Sequence, residues 1–345
     1  MTEPSLVPSL EGVIRNPTLV SILVPCYNEE PNLDYLFERL DKVMTQVEIP
    51  YEVVCVNDGS RDRTLEKLID HHHCNSAIKV VNFSRNFGKE VALSAAIDYA
   101  NGDVVVPIDA DLQDPPELIE ALIGKWQEGY DVVYATRRSR SGESWFKKFT
   151  AGGFYRIIGR MSSVPIPPNT GDFRLLDRQA VEALKQLPER NRFMKGLFAW
   201  VGFRQTAIFY DRAERYRGTT KWNYWRLWNL AVDGITAFSV TPLRIWLYVG
   251  CGISALALVY ASFLVIRTLL LGIDVPGYAS LMVAVLFMGG IQLLTLGIIG
   301  EYLGRVYEEV KARPLYLVRE TYGFEISTQA NQSSHQTAVI TPEKT

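Results

Sequence analysis

Two aspartates separated by one residue, Asp109 and Asp111, give the clearest indication of chemistry in this sequence. They follow an apolar run, 104–108, that is typical of a buried strand. Carboxylates at the end of a strand can bind a hard divalent cation and leave coordination positions open for phosphate oxygens and water. The alternative is a polar strand-to-helix turn in which Asp114 caps the helix. The turn leaves Asp109 and Asp111 unexplained, and we therefore expect a metal site.

The residues before position 137 alternate between short β-branched runs and amphipathic helical patterns, which predicts an α/β fold. Five runs are predicted to be strands: 19–24, 52–57, 78–83, 104–109 and 131–135. Such alternation is typical of βαβ units in a mostly parallel sheet with helices on both faces. Ligands of these sheets bind beyond the carboxyl ends of the strands. Four polar loops fall at those ends and predict a pocket there: 25–29, 57–60, 84–86 and 109–114.

Two apolar segments, 245–266 and 279–300, contain no charged residue. As helices they are long enough to cross a bilayer core of about 30 Å, although a pair of buried core helices is the alternative. Cations flank the outer ends of the pair, so the positive-inside rule puts the N-terminal domain and both termini in the cytoplasm. We therefore predict an integral membrane protein with a two-helix hairpin. Glycines in the second segment favour self-association into a homo-oligomer.

The charge balance and the spacing of the cysteines bear on which partners and cofactors to expect. Lys and Arg number 36 against 38 Asp and Glu, so the charge balance gives no indication of a nucleic-acid partner. The four cysteines lie far apart without the spacing of metal ligands, which predicts reduced thiols and no zinc site. The first residues lack the pattern of a cleavable signal peptide.

Several stretches, in the order in which they occur, make the sequence resemble a known family. VPCYNE at 24–29, VNDGS at 56–60 and DAD at 109–111 resemble the family 2 glycosyltransferases of GT-A fold. Further segments are similar to the polyisoprenyl-phosphate glycosyltransferases: 84–90, 111–117, 171–178 and 217–222. That group includes the dolichyl-phosphate mannose synthases, and the likeness is greatest to the bactoprenol glucosyltransferases, which have two C-terminal membrane helices. It runs from about residue 18 to about residue 320.

The resemblance implies an inverting transfer of a hexose from a nucleotide diphospho-sugar to polyprenyl phosphate on the cytosolic face of a bacterial inner membrane. Glucose from UDP-glucose is the expected donor, and Mg²⁺ or Mn²⁺ the expected cofactor. The implied catalytic residues are Asp109, Asp111, Asp172 and Arg174, and the implied metal ligands are Asp109, Asp111 and Gln113. The implied nucleotide-sugar residues are Pro25, Tyr27, Asn28, Glu29, Asp58, Arg85, Asp109 and Arg137. The implied ligands of the acceptor phosphate are Arg215, Arg217 and Lys221.

Some of these roles stay open at the level of sequence. A phosphate monoester is already ionised near neutral pH, so the acceptor needs cations more than a strong base. Asp172 is either a residual base or a residue that orients Arg174. Arg217 and Lys221 have a competing assignment to the donor diphosphate. For Arg137 the alternative is a solvated surface side chain.

The resemblance and the composition together divide the chain into six parts. The juxtamembrane part carries tryptophans at 222, 225 and 228, which are typical of the headgroup level, although a buried aromatic face is the alternative. The predicted parts are an N-terminal extension over 1–17, a cytosolic GT-A domain over 18–210, a juxtamembrane interfacial region with amphipathic helices over 211–242, a transmembrane hairpin over 243–302, a cytosolic juxtamembrane segment over 303–324 and a disordered tail over 325–345. Two alternative functions stay open. One is a processive polysaccharide synthase, although the Gln-x-x-Arg-Trp motif of such enzymes is missing from this sequence. The other is a non-catalytic nucleotide-sugar binder anchored to the membrane.

Overall fold

The structure is a computed structural model that describes residues 15–137, 170–187, 189–190, 192–210, 241–271 and 277–324. The chain divides into two compact units. The first comprises Met1–Gly152, Val164–Asn223 and Pro314–Thr345, and the second comprises Gly153–Ser163 and Tyr224–Arg313.

The first unit is built on one eight-stranded sheet. The strands are β1 Val20–Cys26, β2 Tyr51–Asn57, β3 Ile78–Phe83, β4 Val104–Pro107, β5 Val132–Arg137, β6 Thr170–Asp177, β7 Gln205–Tyr210 and β8 Val318–Tyr322. The described residues between them form six helices: α1 Leu33–Val47, α2 Thr64–Cys74, α3 Lys89–Tyr99, α4 Leu118–Gln127, α5 Arg178–Lys185 and α6 Met194–Trp200. The predicted α/β class is confirmed.

The strands are ordered β7-β5-β6-β4-β1-β2-β3-β8 across the sheet. Strands β4, β1, β2 and β3 are parallel neighbours, as βαβ units require. Six of the eight strands in the described residues run in the same direction, in agreement with the predicted mostly parallel sheet. The other two, β6 and β8, run antiparallel to their neighbours, so the sheet is mixed. The alternation recognised in the sequence ends at residue 137, before both strands, so the local pattern could not give their direction.

The core forms because the central strands carry β-branched side chains on both faces. Val53 on one face of β2 and Val54 and Val56 on the other are all buried. Helix α1 presents the apolar stripe predicted by its sequence, with Leu33, Leu36, Phe37 and Leu40 buried in the same cluster. A rigid centre of this kind fixes the strand ends from which the polar loops emerge.

The second unit contains two long helices, α7 Thr241–Leu271 and α8 Tyr278–Val310. The predicted spans 245–266 and 279–300 both fall inside these helices. Among the described residues, one helical segment, Phe287–Val310, is long and apolar enough to cross a membrane, and Tyr248–Tyr260 is a shorter apolar stretch. The segment 303–324, predicted to be juxtamembrane, is divided between the end of α8 and strand β8 of the first unit's sheet.

Candidate active site

The loops that follow β1 and β2 are joined by hydrogen bonds at the carboxyl edge of the parallel strands. The Asn28 amide donates to Ser60 Oγ at 3.0 Å, and the Arg61 amide donates to Asn28 Oδ1 at 2.8 Å. The Glu29 amide donates to Thr64 Oγ1 at 2.9 Å. Asn28 has a positive φ of 55°, which asparagine tolerates better than most residues. Pro25 lies in β1, and Tyr27 is 36% exposed beside this junction.

Asp58, which follows β2, anchors the loop 84–88 that follows β3. Its carboxylate is almost fully buried and accepts hydrogen bonds from the amides of Phe87 at 2.6 Å and Gly88 at 3.0 Å. The Asn86 side-chain amide adds a third contact at 2.8 Å. Burial raises the pKa of Asp58, and the two backbone amides oppose that effect. In this structure both carboxylate oxygens therefore hold a loop in place.

Gly59 explains how the two loops approach so closely. It has a φ of +62°, and a Cβ at this position would lie 2.5 Å from the Arg85 carbonyl carbon. The Arg85 guanidinium stacks over the Phe87 ring at 4.0 Å and donates to the Asn86 carbonyl at 2.9 Å. Arg85 is exposed on the outer side of the loop, where a ligand can reach it.

Lys89 links two acids from different parts of the sheet. It is the first residue of α3, and its Nζ lies 2.7 Å from Asp109 Oδ1 and 2.7 Å from Asp172 Oδ2. Desolvation alone would lower the pKa of Lys89, but attraction to Asp109 and Asp172 raises it well above its usual value. Sequence reasoning missed Lys89, although it lies within the segment 84–90. The sequence feature that could have indicated Lys89 is a single cation at the start of a helix, directly after the loop that ends β3.

Asp172 is the most strongly stabilised anion among these groups. Against the effect of desolvation, the cations Lys89, Lys195 and Arg174 lower its pKa below the usual range. Its second oxygen, Oδ1, is buried and has no hydrogen-bond partner among the described residues. A buried acceptor without a partner carries a desolvation cost, which a ligand that donates or coordinates there would relieve.

Arg174 is buried beneath Asp172 and contacts the backbone. Its guanidinium donates to the Gly171 carbonyl at 2.8 Å and to the Asp172 carbonyl at 3.4 Å, and it lies 4.0 Å from the centre of the Phe198 ring. Desolvation lowers the pKa of Arg174 to about 10, against the attraction of Asp172. Arg174 therefore fixes the backbone that carries Asp172, whose carboxylate is bound by Lys89.

Glu90 is a second residue that sequence reasoning missed. Burial, together with repulsion from Asp172, raises the pKa of Glu90 to about 7. Its Oε2 accepts from the Met194 amide at 3.2 Å. A carboxyl group with such a pKa next to the Lys89–Asp172 pair has the properties of a proton-transfer group, and its signal in the sequence was only its position beside Lys89.

The acidic loop after β4 contains the predicted metal ligands. Asp111 Oδ1 accepts from the Gln113 amide at 3.2 Å, and the intervening Leu112 is buried with a φ of +58°. A β-carbon-bearing residue in this conformation is strained and is often found at functional sites. Asp109, Asp111 and Gln113 offer hard oxygen donors, which suit Mg²⁺ or Mn²⁺ bound to few protein ligands and completed by phosphates and water. The described residues contain no cluster of three or more His, Cys, Asp or Glu suited to a metal.

Asp114 has a different role from the one predicted. Helix α4 begins at Leu118, three residues beyond the position that an Asp114 cap would give, so the capping prediction is wrong. Instead the Tyr210 hydroxyl donates to Asp114, and Arg137 Nε contacts the same hydroxyl at 3.4 Å. Burial and Asp114 raise the pKa of Tyr210 to about 12. Arg137 ends β5, and its Nη2 lies 3.5 Å from the position that a Cβ on Gly171 of β6 would take, next to Asp172.

The remaining predicted residues, Arg215, Arg217 and Lys221, lie outside the described part of the chain. The structure thus brings together two groups of the predicted residues. One is the junction of the loops after β1, β2 and β3, and the other is the charged chain Asp109–Lys89–Asp172.

Comparison with known proteins extends these observations to both units. The family profile described as Glycosyl transferase family 2 matches residues 21–185, and the profile described as GtrB C-terminal hairpin matches residues 241–306. An uncharacterized glycosyltransferase of Synechocystis sp. is 67% identical over 306 residues, which cover 89% of this chain and 96% of that protein. The SfII prophage-derived bactoprenol glucosyl transferase of Shigella flexneri is 45% identical over 304 residues, or 88% of this chain and 98% of that one.

Among solved structures, mannosyl-3-phosphoglycerate synthase from Rubrobacter xylanophilus is similar with a TM-score of 0.45 and 19% identity, over 64% of this chain and 72% of that chain. The family assignment depends on the sequence relatives. With a mixed Rossmann-like sheet, the family 2 domain and the hairpin profile in one chain, this protein belongs to the family 2 glycosyltransferases, in the group of the bactoprenol glucosyl transferases.

Proposed function

We propose that the protein transfers glucose from UDP-glucose to polyprenyl phosphate, with inversion at the sugar carbon, on the cytosolic face of a bacterial inner membrane. The observation that carries the proposal is the Lys89 bridge between Asp109 and Asp172, because it joins the donor side of the site to the acceptor side. Relatives named bactoprenol glucosyl transferase that are similar over almost their whole length support the acceptor class.

The donor lies along the carboxyl edge of β1, β2 and β3. The loop residues Tyr27, Asn28 and Glu29 border the nucleotide, and the exposed Arg85 meets its phosphates. Asp58 contributes by holding the loop of Arg85 in place through the Phe87 and Gly88 amides. Arginine suits this role because its planar guanidinium binds phosphate oxygens in pairs.

Asp111, Gln113 and Asp109 are the residues that hold Mg²⁺ or Mn²⁺ in this proposal. When bound, the ion neutralises the charge that develops on the leaving nucleotide diphosphate. The protein's own contribution is to place hard oxygen ligands on a constrained turn at Leu112. The same loop keeps Asp109 within reach of Lys89.

The acceptor attacks through an oxygen of its phosphate. The new bond forms between that oxygen and the sugar C1, and the bond between C1 and the nucleotide diphosphate breaks with its electron pair on the diphosphate. The ionised acceptor phosphate carries no proton that must be removed. Lys89 therefore holds Asp109 and Asp172 in place and offsets part of their charge, which reduces the repulsion that two anionic substrates meet at these acids. Asp172 has a lowered pKa and suits an orienting role, while Glu90, with a pKa of about 7, is better matched to any proton transfer.

The membrane arrangement follows from the apolar helices α7 and α8. They form a hairpin with both termini in the cytoplasm and the connector on the opposite side. Arg215, Arg217 and Lys221 precede the tryptophan-rich stretch, where a lipid phosphate is held at headgroup level. Self-association through the glycines of the second span remains a prediction, and its test is the particle mass in detergent.

The test is donor selectivity in membranes. Membranes that contain the protein are incubated with radiolabelled UDP-glucose, UDP-galactose, UDP-N-acetylglucosamine and GDP-mannose, and the lipid-extractable label is counted. The proposal predicts label from UDP-glucose and far less from the others, with none in membranes carrying Asp111→Asn. Label from a different donor would contradict the assignment of glucose, and label in an insoluble polymer would favour a processive synthase.

A further inference from the structure

The chain that follows the two long helices returns to the first unit's sheet beside the proposed donor loop. We call residues 314–322 the return segment. Its strand β8 pairs antiparallel with β3, with Tyr322 opposite Val80 and Val318 opposite Phe83. The pairing shifts register between Asn82 and Phe83, at the carboxyl end of β3, where the donor loop begins.

A backbone hydrogen bond fixes the first residue of that loop. The Ser84 amide donates to the Leu317 carbonyl at 3.0 Å. The next residues, Arg85 and Asn86, are exposed. The loop is therefore held at one end by the return segment and at the other by Asp58, which binds the Phe87 and Gly88 amides.

Tyr316 is the side chain that joins the return segment to the loop. It is 7% exposed, and its ring stacks on Phe83 with centroids 5.1 Å apart and planes tilted by 19°. Its hydroxyl donates to Asp98 Oδ2 on α3 at 2.9 Å. Burial, with Asp98 nearby, raises the pKa of Tyr316, so the hydroxyl stays a neutral donor. A tyrosine fixed at both ends of its side chain has little freedom to move.

The contact continues from Phe83 into the loop itself. The Phe83 ring meets the Phe87 ring edge-on at 5.5 Å between centroids. Phe87 in turn donates its amide to Asp58 and lies under the Arg85 guanidinium. A continuous path of packed rings thus links Tyr316 to the cation that meets the donor phosphates in the proposed function.

A second, polar path runs beside the first. Glu320 of β8 accepts from the Asn82 side chain at 3.4 Å, and Asn82 accepts from the Asn57 side chain at 2.8 Å. Asn57 directly precedes Asp58. Both anchors of the donor loop are therefore tied to the return segment.

We propose that Tyr316 is a positioning residue for donor binding, through which the return segment holds the loop 84–88 in its binding conformation. The inference rests on the proposed function for the identity of the ligand at that loop. Tyr316 itself touches Phe83 and Asp98, so it acts on the donor through the loop. Loss of its ring frees Phe83 and Phe87 and lets the Arg85 loop open.

The chain offers a matched control in the same return segment. Tyr322 is the same residue type, packs partly against the core and lies opposite Val80. Its hydroxyl donates to Glu320 Oε2 at 3.1 Å, and its loss leaves the path of rings through Tyr316, Phe83 and Phe87 intact. Tyr316→Ala and Tyr322→Ala both remove one tyrosine from the edge of the sheet. Tyr316→Phe keeps the stacked ring and loses only the contact with Asp98.

The experiment uses the full-length protein in detergent with two measurements. Hydrogen exchange by mass spectrometry follows peptides that cover residues 84–88, and calorimetry measures UDP binding with Mn²⁺. We expect Tyr316→Ala to speed exchange in these peptides and to raise the Kd for UDP about tenfold, which corresponds to the loss of about 1.4 kcal/mol. Tyr322→Ala should change neither the exchange rate nor the Kd. Tyr316→Phe should keep both quantities close to those of the wild-type protein. The acceptor KM should stay the same in all three variants.

Equal effects of Tyr316→Ala and Tyr322→Ala would overturn the inference, because they would reflect general weakening of the sheet edge. Unchanged exchange at 84–88 in Tyr316→Ala would overturn it as well. If Tyr316→Ala does not fold, Tyr316→Leu keeps apolar volume and carries the same expectations. Failure of the wild-type protein to bind UDP would contradict the proposed donor, and the exchange data would still decide whether Tyr316 holds the loop.

Discussion

Among the described residues, Lys89 is the one cation that contacts both Asp109 and Asp172. Replacement of Lys89 by methionine removes this charge and keeps a side chain of similar length. Both acids then lose a partner at 2.7 Å. Hydrogen bonds to charged groups contribute about 1.5–3 kcal/mol each. The Lys89 side chain is 45% exposed, so solvent screening puts the two contacts at the low end of that range.

These contacts exist in the free enzyme, so their loss acts on the transition state through the displaced acids. Removal of one preorganised electrostatic contact costs about 3 kcal/mol there, which corresponds to about a hundredfold in kcat/KM. We expect the Lys89→Met protein to fold, because Lys195 and Arg174 still offset the charge of Asp172. The assay is initial-rate kinetics with the donor and polyprenyl phosphate varied in turn. The loss should appear in kcat/KM for both substrates, since Lys89 lies between their two acids.

Lys79→Met is the matched control. Lys79 lies near the start of β3, at the opposite end of the strand from the loop 84–88, and its Nζ contacts the buried Glu52 at 2.7 Å. It should lower the melting temperature and leave kcat/KM per folded molecule unchanged. The reasoning is refuted if Lys89→Met keeps wild-type kcat/KM, or if its loss only follows a fall in melting temperature that Lys79→Met shares.

Four further outcomes follow from the same account. Asp111→Asn should fold normally and lose nearly all activity, and EDTA should have the same effect on the wild-type protein, because one charged metal ligand contributes several kcal/mol. The pKa of Glu90 is about 7 in the folded protein and lower in the unfolded chain. The free energy of unfolding should therefore fall as the pH rises from about 4.5 to about 7. In urea titrations, Glu90→Gln should remove that fall. A cysteine at position 274 should react with an impermeant thiol reagent added to intact cells, because the proposed topology puts the connector outside. Arg217→Ala or Lys221→Ala should raise the KM for polyprenyl phosphate tenfold to about a hundredfold and leave calorimetric UDP binding unchanged, because a charge-assisted contact contributes about 1.5–3 kcal/mol.

Each of these outcomes has a control that can contradict it. Asp62→Asn, outside the acidic loop, should keep the metal requirement of the wild type. If the free energy of unfolding depends on pH equally in the wild-type and Glu90→Gln proteins, Glu90 is not the source of that dependence. The labelling needs a background in which the exposed Cys74 and Cys251 are serines, and reaction at a cysteine placed in the tail would reverse the topology. Lost UDP binding in the Arg217 or Lys221 variants would assign them to the donor diphosphate.

The central strands were predictable because each carries its own signal. The runs 19–24, 52–57 and 78–83 correspond to β1, β2 and β3 within about two residues at each end, since β-branched residues between turns favour strands locally. Strand β8 was not predictable from its own residues. Val318–Tyr322 joins the sheet only because the chain returns to β3 after two long helices, and local patterns carry no information about such a pairing.

The site shows the same division between local and distant information. Asp109 and Asp111 could be proposed from their spacing at a strand end. Lys89 could not, because its partner Asp172 lies 83 residues further along the chain, on a strand whose antiparallel direction the sequence pattern did not give. Asp114 also has a distant partner, since the hydroxyl that donates to it belongs to Tyr210, 96 residues further along the chain.

A single-turnover reaction decides whether this site transfers a sugar to a lipid phosphate. Purified protein in excess is mixed with labelled UDP-glucose, Mn²⁺ and either polyprenyl phosphate or the corresponding polyprenol. The account predicts one burst of label into the organic phase with polyprenyl phosphate, none with polyprenol, and a product of inverted anomeric configuration. Binding of the donor without any transfer would contradict the account and would identify the protein as a nucleotide-sugar binder.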